Sequence, residues 1–430
     1  MEDIKKIAFT ICAKNYIGLA QTLEASIKAI QDDVLFLIFV ADEFGEGLAI
    51  QLPDNVIIAG EKLAIPKSQW YEMAFKYDLT EFCTSIKPSC FKYILQNYDV
   101  DACIYFDPDI LVFNTLDAIY EKLNDYDILV TPHITTIETI YTGSLNERNL
   151  LYSGMFNLGF LALRNGDTAI KLLNWWEERL KDRCFQNMME NYFTDQKWMD
   201  FLPSLFPTNL LISTDLGLNL APWNFYEREV FQVENKLYVK NRILAKDELY
   251  PLTFVHFSGF NYKALIKDEV IQGNIKGLGM PSDLDIIFSH YTKALKTSNI
   301  SKFISLSYSY NFFSNNQSIS LVYRRLFRRL LDDGKVNYNP FEESATLYKA
   351  LANHKLLTSE MAVNDKTNAS NIGDIESKTI KINKFFTLLF KLIGAQRFFL
   401  LTRLMRLYSK PENHVYLIDK EYIKHFKIWN

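Results

Sequence analysis

Two carboxylates stand two residues apart between apolar runs in Ile104-Tyr105-Phe106-Asp107-Pro108-Asp109-Ile110-Leu111-Val112-Phe113. A buried strand that delivers Asp107 and Asp109 to its end must also see them neutralised, because ionised carboxylates are costly to leave unpaired beside a core. Oxygen ligands of this kind suit Mg²⁺ or Mn²⁺, and either ion can in turn neutralise a diphosphate. Pro108 removes a backbone donor and stiffens the turn between the two acids. On these residues alone a second use stays open: an Asp-Pro-Asp turn joining two strands, its carboxylates serving as caps or solvated charges.

The elements that would hold such a site alternate through about residue 260. Residues 6–12 read as a buried first strand, and Leu19, Leu23, Ile27 and Ile30 follow at the spacing of one helical face. Residues 35–40, 56–59 and 102–106 are further apolar strands. Strands separated by helices predict an α/β chain with a parallel or mixed sheet covered on both faces. Ligands then gather beyond the carboxyl ends of the strands, where the loops carrying Asn15, Asp42 and Asp107 converge. Beyond residue 265 the pattern turns helical, with a basic cluster at Arg324-Arg325-Leu326-Phe327-Arg328-Arg329. Residues 358–380 are polar and lack aromatic side chains, so they read as a linker or exposed loop. On a helical wheel for the tail 381–430, Lys384, Lys391, Arg403, Arg406 and Lys410 share a side, although Arg397 does not and Gly394 weakens the helix. That pattern fits either a helix lying on an anionic membrane or one packed on its own domain or a partner.

The composition narrows the partners. The chain has 430 residues, 48% hydrophobic and 23% charged, which excludes disorder throughout. With 47 Lys and Arg against 51 Asp and Glu, the formal net charge of −4 calls for no nucleic-acid partner. Five scattered cysteines without a C-x-x-C pair suit reduced thiols, not disulfides or a zinc cage. No uninterrupted apolar run reaches the roughly 18 to 20 residues of a bilayer span, and the early run 7–13 stops at Lys14, so the expected location is cytoplasmic.

The acids are not isolated, and their context resembles the metal-dependent nucleotide-sugar glycosyltransferases of the GT-A fold, most closely the retaining group around glycosyltransferase family 8. The resemblance covers roughly residues 4–263. Its elements run in order: the Asn15-Tyr16 loop, Asp42 after the second strand, Lys87-Pro88 on a helix, the D-x-D pair, Phe156-Asn157-Leu158-Gly159-Phe160, Thr194-Asp195-Gln196, and Val255-His256-Phe257-Ser258-Gly259. It implies a Rossmann-like mixed sheet flanked by helices over residues 1–265; the sequence pattern adds a mainly helical extension over 266–357, the polar linker or exposed loop 358–380 and the basic amphipathic helical tail 381–430.

By this resemblance Asp107, Asp109 and His256 hold Mn²⁺ or Mg²⁺ against the donor diphosphate. Asn15, Asp42, Lys87, Asn157, Gly159 and Lys263 face the donor, with Gly159 admitting the sugar ring. Lys263 stands seven residues after His256, where the family pattern places a lysine six after. Asp195 and Gln196 fall on the β-face of the donor sugar as catalytic candidates, where an amide or carboxylate stabilises oxocarbenium-like charge. His133, Trp223 and Asn224 are candidates for the acceptor side, an indole being a common platform for sugars. The implied activity is transfer of a sugar from a nucleotide sugar, a UDP-sugar by family precedent and with retention, to a glycan, lipid-linked or protein acceptor in surface polysaccharide assembly. The implied location is cytoplasmic, with peripheral membrane contact through 381–410. The competing readings are a non-catalytic sugar- or nucleotide-binding subunit on the same fold and a metal-dependent nucleotide-sugar hydrolase or nucleotidyltransferase. No G-x-x-x-x-G-K-[ST] loop and no H-E-x-x-H occurs.

Overall fold

The structure is a computed structural model that describes residues 5–45, 50–137, 147–244, 248–273, 281–336, 339–358 and 373–424. The chain divides into two compact units, Met1–Ile65 with Leu79–Tyr308, and Pro66–Asp78 with Ser309–Asn430. Residues 266–308, placed in the extension by the change of sequence pattern, thus group with the sheet.

The first unit is built on strands β1 (Lys6–Cys12), β2 (Val34–Val40), β3 (Val56–Ile58), β4 (Ala102–Phe106), β5 (Ile110–Val112), β6 (Ile128–Val130) and β7 (Phe160–Arg164), with Leu210–Ile212 further on. The main sheet runs Leu210–Ile212, β6, β7, β4, β1, β2, β3. Only β7 runs against its neighbours β4 and β6, so the sheet is mixed, as the alternation of strands and helices predicts. The period of two in β1 separates its faces. Ala8 packs in one layer with Phe36, Ile104 and Ala162 under Ile17, Ala20, Leu23 and Ile27 of helix Ile17–Lys28. On the other face Phe9 meets Phe39, Tyr105 and Phe91 at ring distances of 5.6, 5.2 and 4.7 Å, and Phe91 belongs to helix Lys87–Asn97. Both faces are therefore covered, and polar side chains have access to solvent chiefly at the strand ends.

A two-stranded antiparallel ribbon, β5 with Phe254–His256, lies beyond the end of β4. Phe254 is buried in the sheet's core cluster, and Val255 in a second cluster with Leu111, Leu220, Ile287 and Tyr291. Consecutive residues of one short strand are thus anchored in two cores, which fixes its register to the residue. A three-stranded sheet of Arg228–Val233, Lys236–Asn241 and Tyr250–Pro251 completes the unit. None of the five cysteines is in a disulfide.

The second unit is helical: Lys67–Lys76, Leu321–Asp332, Thr346–Asn353, Ile375–Tyr408 and the 3₁₀ turn Pro411–Leu417. The four arginines that read as a basic cluster are buried here. Arg324 donates to the carbonyls of Ala74, Phe75, Tyr77 and Tyr310 at 2.7–3.0 Å, and so caps the last turn of Lys67–Lys76. Most of the expected linker 358–380 lies outside the described residues, and from Ile375 its end is already helical. Arg324→Met leaves four carbonyls without their donors and is expected to destabilise this unit by at least about 3 kcal/mol, read as the urea midpoint.

Candidate functional site

The turn after β4 is closed by two backbone bonds. The Asp107 amide donates to the Gly159 carbonyl at 2.8 Å, and the Ile110 amide to the Asp107 carbonyl at 3.2 Å. The β5 ribbon then sets His256 opposite Ile110, and the Phe257 amide donates to the Asp109 carbonyl at 3.0 Å. Backbone pairing alone thus places an imidazole over two carboxylates. His256 Nε2 lies 3.1 Å from Asp109 Oδ1 and 3.6 Å from Asp107 Oδ2, and the three ligand atoms all fall within 4.8 Å of one another. The imidazole is sealed at 3% side-chain exposure while the carboxylates keep 30% and 32%, so the trio opens to solvent on its oxygen side. Three such ligands could hold a divalent ion; imidazole with carboxylates suits Mn²⁺ better than Ca²⁺.

The second nitrogen of His256 is also spoken for. Nδ1 stands 3.1 Å from Asn157 Oδ1. That oxygen also accepts from the Gly159 amide at 3.2 Å and from Asn219 Nδ2 at 3.1 Å, so its neighbours are all donors and Nδ1 carries the proton. Nε2 faces the carboxylates and, while the imidazole is protonated, donates to Asp109 Oδ1; giving up that proton would turn its lone pair toward them, the arrangement a metal ligand requires. Burial opposes charge on this imidazole, but Asp109 and then Asp107 outweigh it, and the His256 pKa is raised. The Asp107 carboxyl is raised by burial, against the lowering pull of Lys87 and His256.

Behind the trio a polar layer runs into the protein. Lys87 opens helix Lys87–Asn97 and is buried; its ammonium donates to Asp195 Oδ2 at 2.5 Å and to the Leu158 carbonyl at 2.8 Å, and sits 4.1 Å over the Tyr105 ring. Tyr105 donates to Asp107 Oδ1 at 2.5 Å. Asp195 is further held by the Thr194 hydroxyl at 3.1 Å and by Trp176, whose indole donates to its carbonyl at 3.2 Å. Gln196 accepts from the Leu158 amide at 3.0 Å and from Asn157 Nδ2 at 3.3 Å, and donates to the Ser153 carbonyl at 2.9 Å. Asp107, Asp109, His256, Asn157, Gly159, Lys87, Asp195 and Gln196 therefore form one connected cluster. Neither Thr194 nor Asp195 caps the following 3₁₀ helix with its side chain.

Gly159 has a different neighbour from the one the sequence suggests. A Cβ built there would lie 2.4 Å from His256 Cε1 and 2.7 Å from Nδ1, so the space a side chain would need is filled by the imidazole. The glycine is required by the histidine.

The other expected residues divide. Asp42 is buried beyond β2, accepting from the Lys14 and Glu43 amides at 3.4 and 2.8 Å, with the Lys14 ammonium 3.5 Å away. Asn15 keeps a buried side-chain oxygen with no partner among the described residues, and Tyr16 meets Tyr262 edge-on at 5.5 Å. Lys263 is exposed on the short helix Tyr262–Leu265; only its amide is engaged, by the Asn261 cap. Trp223 stands between His133 and His256, with ring distances of 5.2 and 5.3 Å, and its indole nitrogen has no partner among the described residues. Asn224 is fully buried and spends its amide on Ala221, His133 and Asn219, so it holds its loop and cannot touch an acceptor. His133 is buried against the Gly154 carbonyl at 2.9 Å, and burial pushes its pKa down to about 4.

Three members were not assigned from sequence. Tyr105 shares the pleat side of Asp107 two residues on, a signal the strand period carries. Asn219 and Trp176 join through long-range bonds that no local spacing encodes.

No family model matches the chain. The uncharacterised protein YfnF of Bacillus subtilis is 24% identical over 282 residues, 65% of this chain and 88% of the relative. Among solved structures the chain is similar to the galactosyltransferase LgtC in complex with donor and acceptor sugar analogues, at 16% identity over 68% of this chain and 96% of that one, with a TM-score of 0.39. The glycosyltransferase GlyE of Streptococcus pneumoniae TIGR4 matches at 13% identity over 72% and 67%, with a TM-score of 0.35. The bifunctional glycosyltransferase WbbM matches at 11% over 70% and 52%, with a TM-score of 0.37. Likenesses of this extent leave the chemistry to be read from the chain's own residues.

Two outcomes follow from the geometry. Gly159→Ala should push His256 off the carboxylates and weaken Mn²⁺ binding at least about tenfold in calorimetric titration, while the thermal midpoint stays within a few degrees. His133 takes up its proton below the ordinary histidine range when folded, so the unfolded chain protonates first as pH falls. Stability should drop between about pH 6.5 and 4, by up to roughly 3 kcal/mol. His133→Gln should lose this pH-dependent part in urea unfolding at the two ends of the window.

Proposed function

We propose that the chain is a metal-dependent glycosyltransferase that moves a sugar from a nucleotide sugar to a glycan, lipid-linked or protein acceptor. The observation that supports this reading is the convergence of Asp107, Asp109 and His256 at the carboxyl edge of a mixed sheet, backed by the Lys87–Asp195 pair. A divalent ion, Mn²⁺ or Mg²⁺, would supply Lewis-acid neutralisation of a diphosphate leaving group. The chain's own residues do the rest. Asn157 holds the proton on His256 Nδ1 and so fixes which nitrogen faces the acids. Tyr105 and Lys87 limit the negative charge carried by Asp107. Asp195 and Gln196 are assigned to the positive charge that develops at the anomeric carbon, with Lys87 as the buried counter-charge of Asp195. Trp223 is assigned to the acceptor side, at the rim beside His256.

UDP as nucleotide, retention of anomeric configuration, a role in surface polysaccharide assembly and a cytoplasmic site of action are the finer parts of the proposal, carried by the sequence resemblance. A nucleotide-release assay over UDP-, GDP-, TDP- and CMP-sugars, with Mn²⁺ or with EDTA, tests it. One donor should be turned over, EDTA should abolish release, and Asp109→Asn should lower turnover roughly 100- to 1,000-fold with the fold intact by circular dichroism. Wild-type turnover by that variant overturns the assignment. Tight metal-dependent nucleotide binding without release from any donor, with or without sugar acceptors, favours the binding subunit instead.

A further inference from the structure

Helix Ile375–Tyr408 buries none of its residues. Phe385, Leu388, Leu392, Phe399 and Leu400 are 58–73% exposed, far beyond what a soluble surface shows in one contiguous stretch. The helix is long and apolar enough by length and composition to cross a membrane, an outcome the count of uninterrupted runs missed because Lys391 and Arg397 interrupt the apolar stretch.

Its geometry argues against a span. Gly394 sits at φ 75°, ψ 166°, outside helical space and in a region that favours glycine, so the element is two helices joined by a break. Phe398 packs on Phe386 at 6.0 Å and on Phe390 at 5.5 Å. In a straight helix, residues 386 and 398 stand about 18 Å apart along the axis, so the second half folds back on the first. The halves 375–393 and 395–408 are about 28 and 21 Å long, and the second falls well short of a hydrocarbon core about 30 Å thick. The break also ends the single wheel on which Lys384, Lys391, Arg403 and Arg406 would share a side.

The charge names the occupant. Between Glu376 and Glu412 the chain carries eight Lys and Arg and no Asp or Glu, although acids outnumber bases in the whole chain; seven of the eight are exposed, while Lys410, expected on the cationic side, is buried. A protein partner or a second copy of this tail would have to match or repel that excess, whereas an anionic lipid surface offers both the negative charge and an apolar layer for the exposed Phe and Leu. We infer that residues 375–410 form a helical hairpin that inserts from one side into the interface of an anionic bilayer, bent at Gly394, without crossing it. This inference rests on the tail alone and not on the transferase reading.

The full chain is sedimented with vesicles of phosphatidylcholine alone and of phosphatidylcholine with phosphatidylglycerol. Binding to the anionic vesicles, lost in high salt and absent from the neutral ones, is expected. Lys384→Gln with Lys391→Gln and Arg403→Gln should weaken it about 100-fold, at about fivefold per cation. A Leu392→Trp variant should shift its emission to the blue on those vesicles only. All four positions are exposed, so Mn²⁺ titration of the trio serves as the fold control, and the inference stands or falls whatever happens to sugar transfer. Equal binding to neutral vesicles, or none to either, overturns it. So does a dimer in light scattering that Leu388→Asp dissolves, which would make a second copy the occupant. Expressed protein that stays in membranes through an alkaline carbonate wash would make the helix a span and overturn it as well.

Discussion

Two carboxylates at the mouth of an apolar sheet are a standing electrostatic debt in a fold of this kind, and the neighbourhood of Asp107 and Asp109 is organised around settling it. The sheet cannot tolerate them unpaired, and water reaches only their outer oxygens. Hence His256 is brought over them by a ribbon whose register is fixed in two hydrophobic cores, Tyr105 is turned toward Asp107, and Lys87 is buried behind. Remove the acids and the polar layer loses its purpose; remove the layer and the acids lose the hydrogen bond from Tyr105 and the groups that offset their charge.

The same requirement explains the order in which residues depend on one another. Asn157 serves His256, and Gly159 makes room for it, so the segment that the resemblance assigns to the donor also serves a side chain of the trio. Gln196 serves Asn157 and the backbone at Leu158. Asp195 has Lys87 as its counter-charge, so the ion pair is balanced without outside help and can remain buried.

Much of this was legible in the sequence. The apolar runs at residues 6–12 and 102–106 and the four-residue steps of Leu19, Leu23 and Ile27 give the strands, the first helix and the edge where loops converge, because each is a local consequence of burying side chains against the sheet's core. The D-x-D pair was legible because acids beside an apolar run are conspicuous. What could not be read are features set by distant segments: the fold-back at Gly394, the burial of the arginines from Arg324 to Arg329, and the loop-holding role of Asn224. A basic run or an asparagine looks solvent-facing until the carbonyls it serves, supplied by residues up to 250 positions away, are in place. The helix Lys67–Lys76 joining a unit otherwise made of residues beyond 308 is the same kind of fact.

That excursion bears on how the chain is made. Trp70 and Phe75 are buried among groups such as Tyr310, Phe313 and Phe327, which leave the ribosome more than 230 residues later. At about 5–20 residues per second, helix Lys67–Lys76 waits ten seconds or more with its aromatic face uncovered while the sheet around its two ends is completed. The interval exposes apolar surface in a nascent chain, so holdase capture during synthesis becomes a stage of maturation. The same layout means that cutting the gene after residue 308 would leave that helix permanently without its core, an aggregation liability and not a minimal domain.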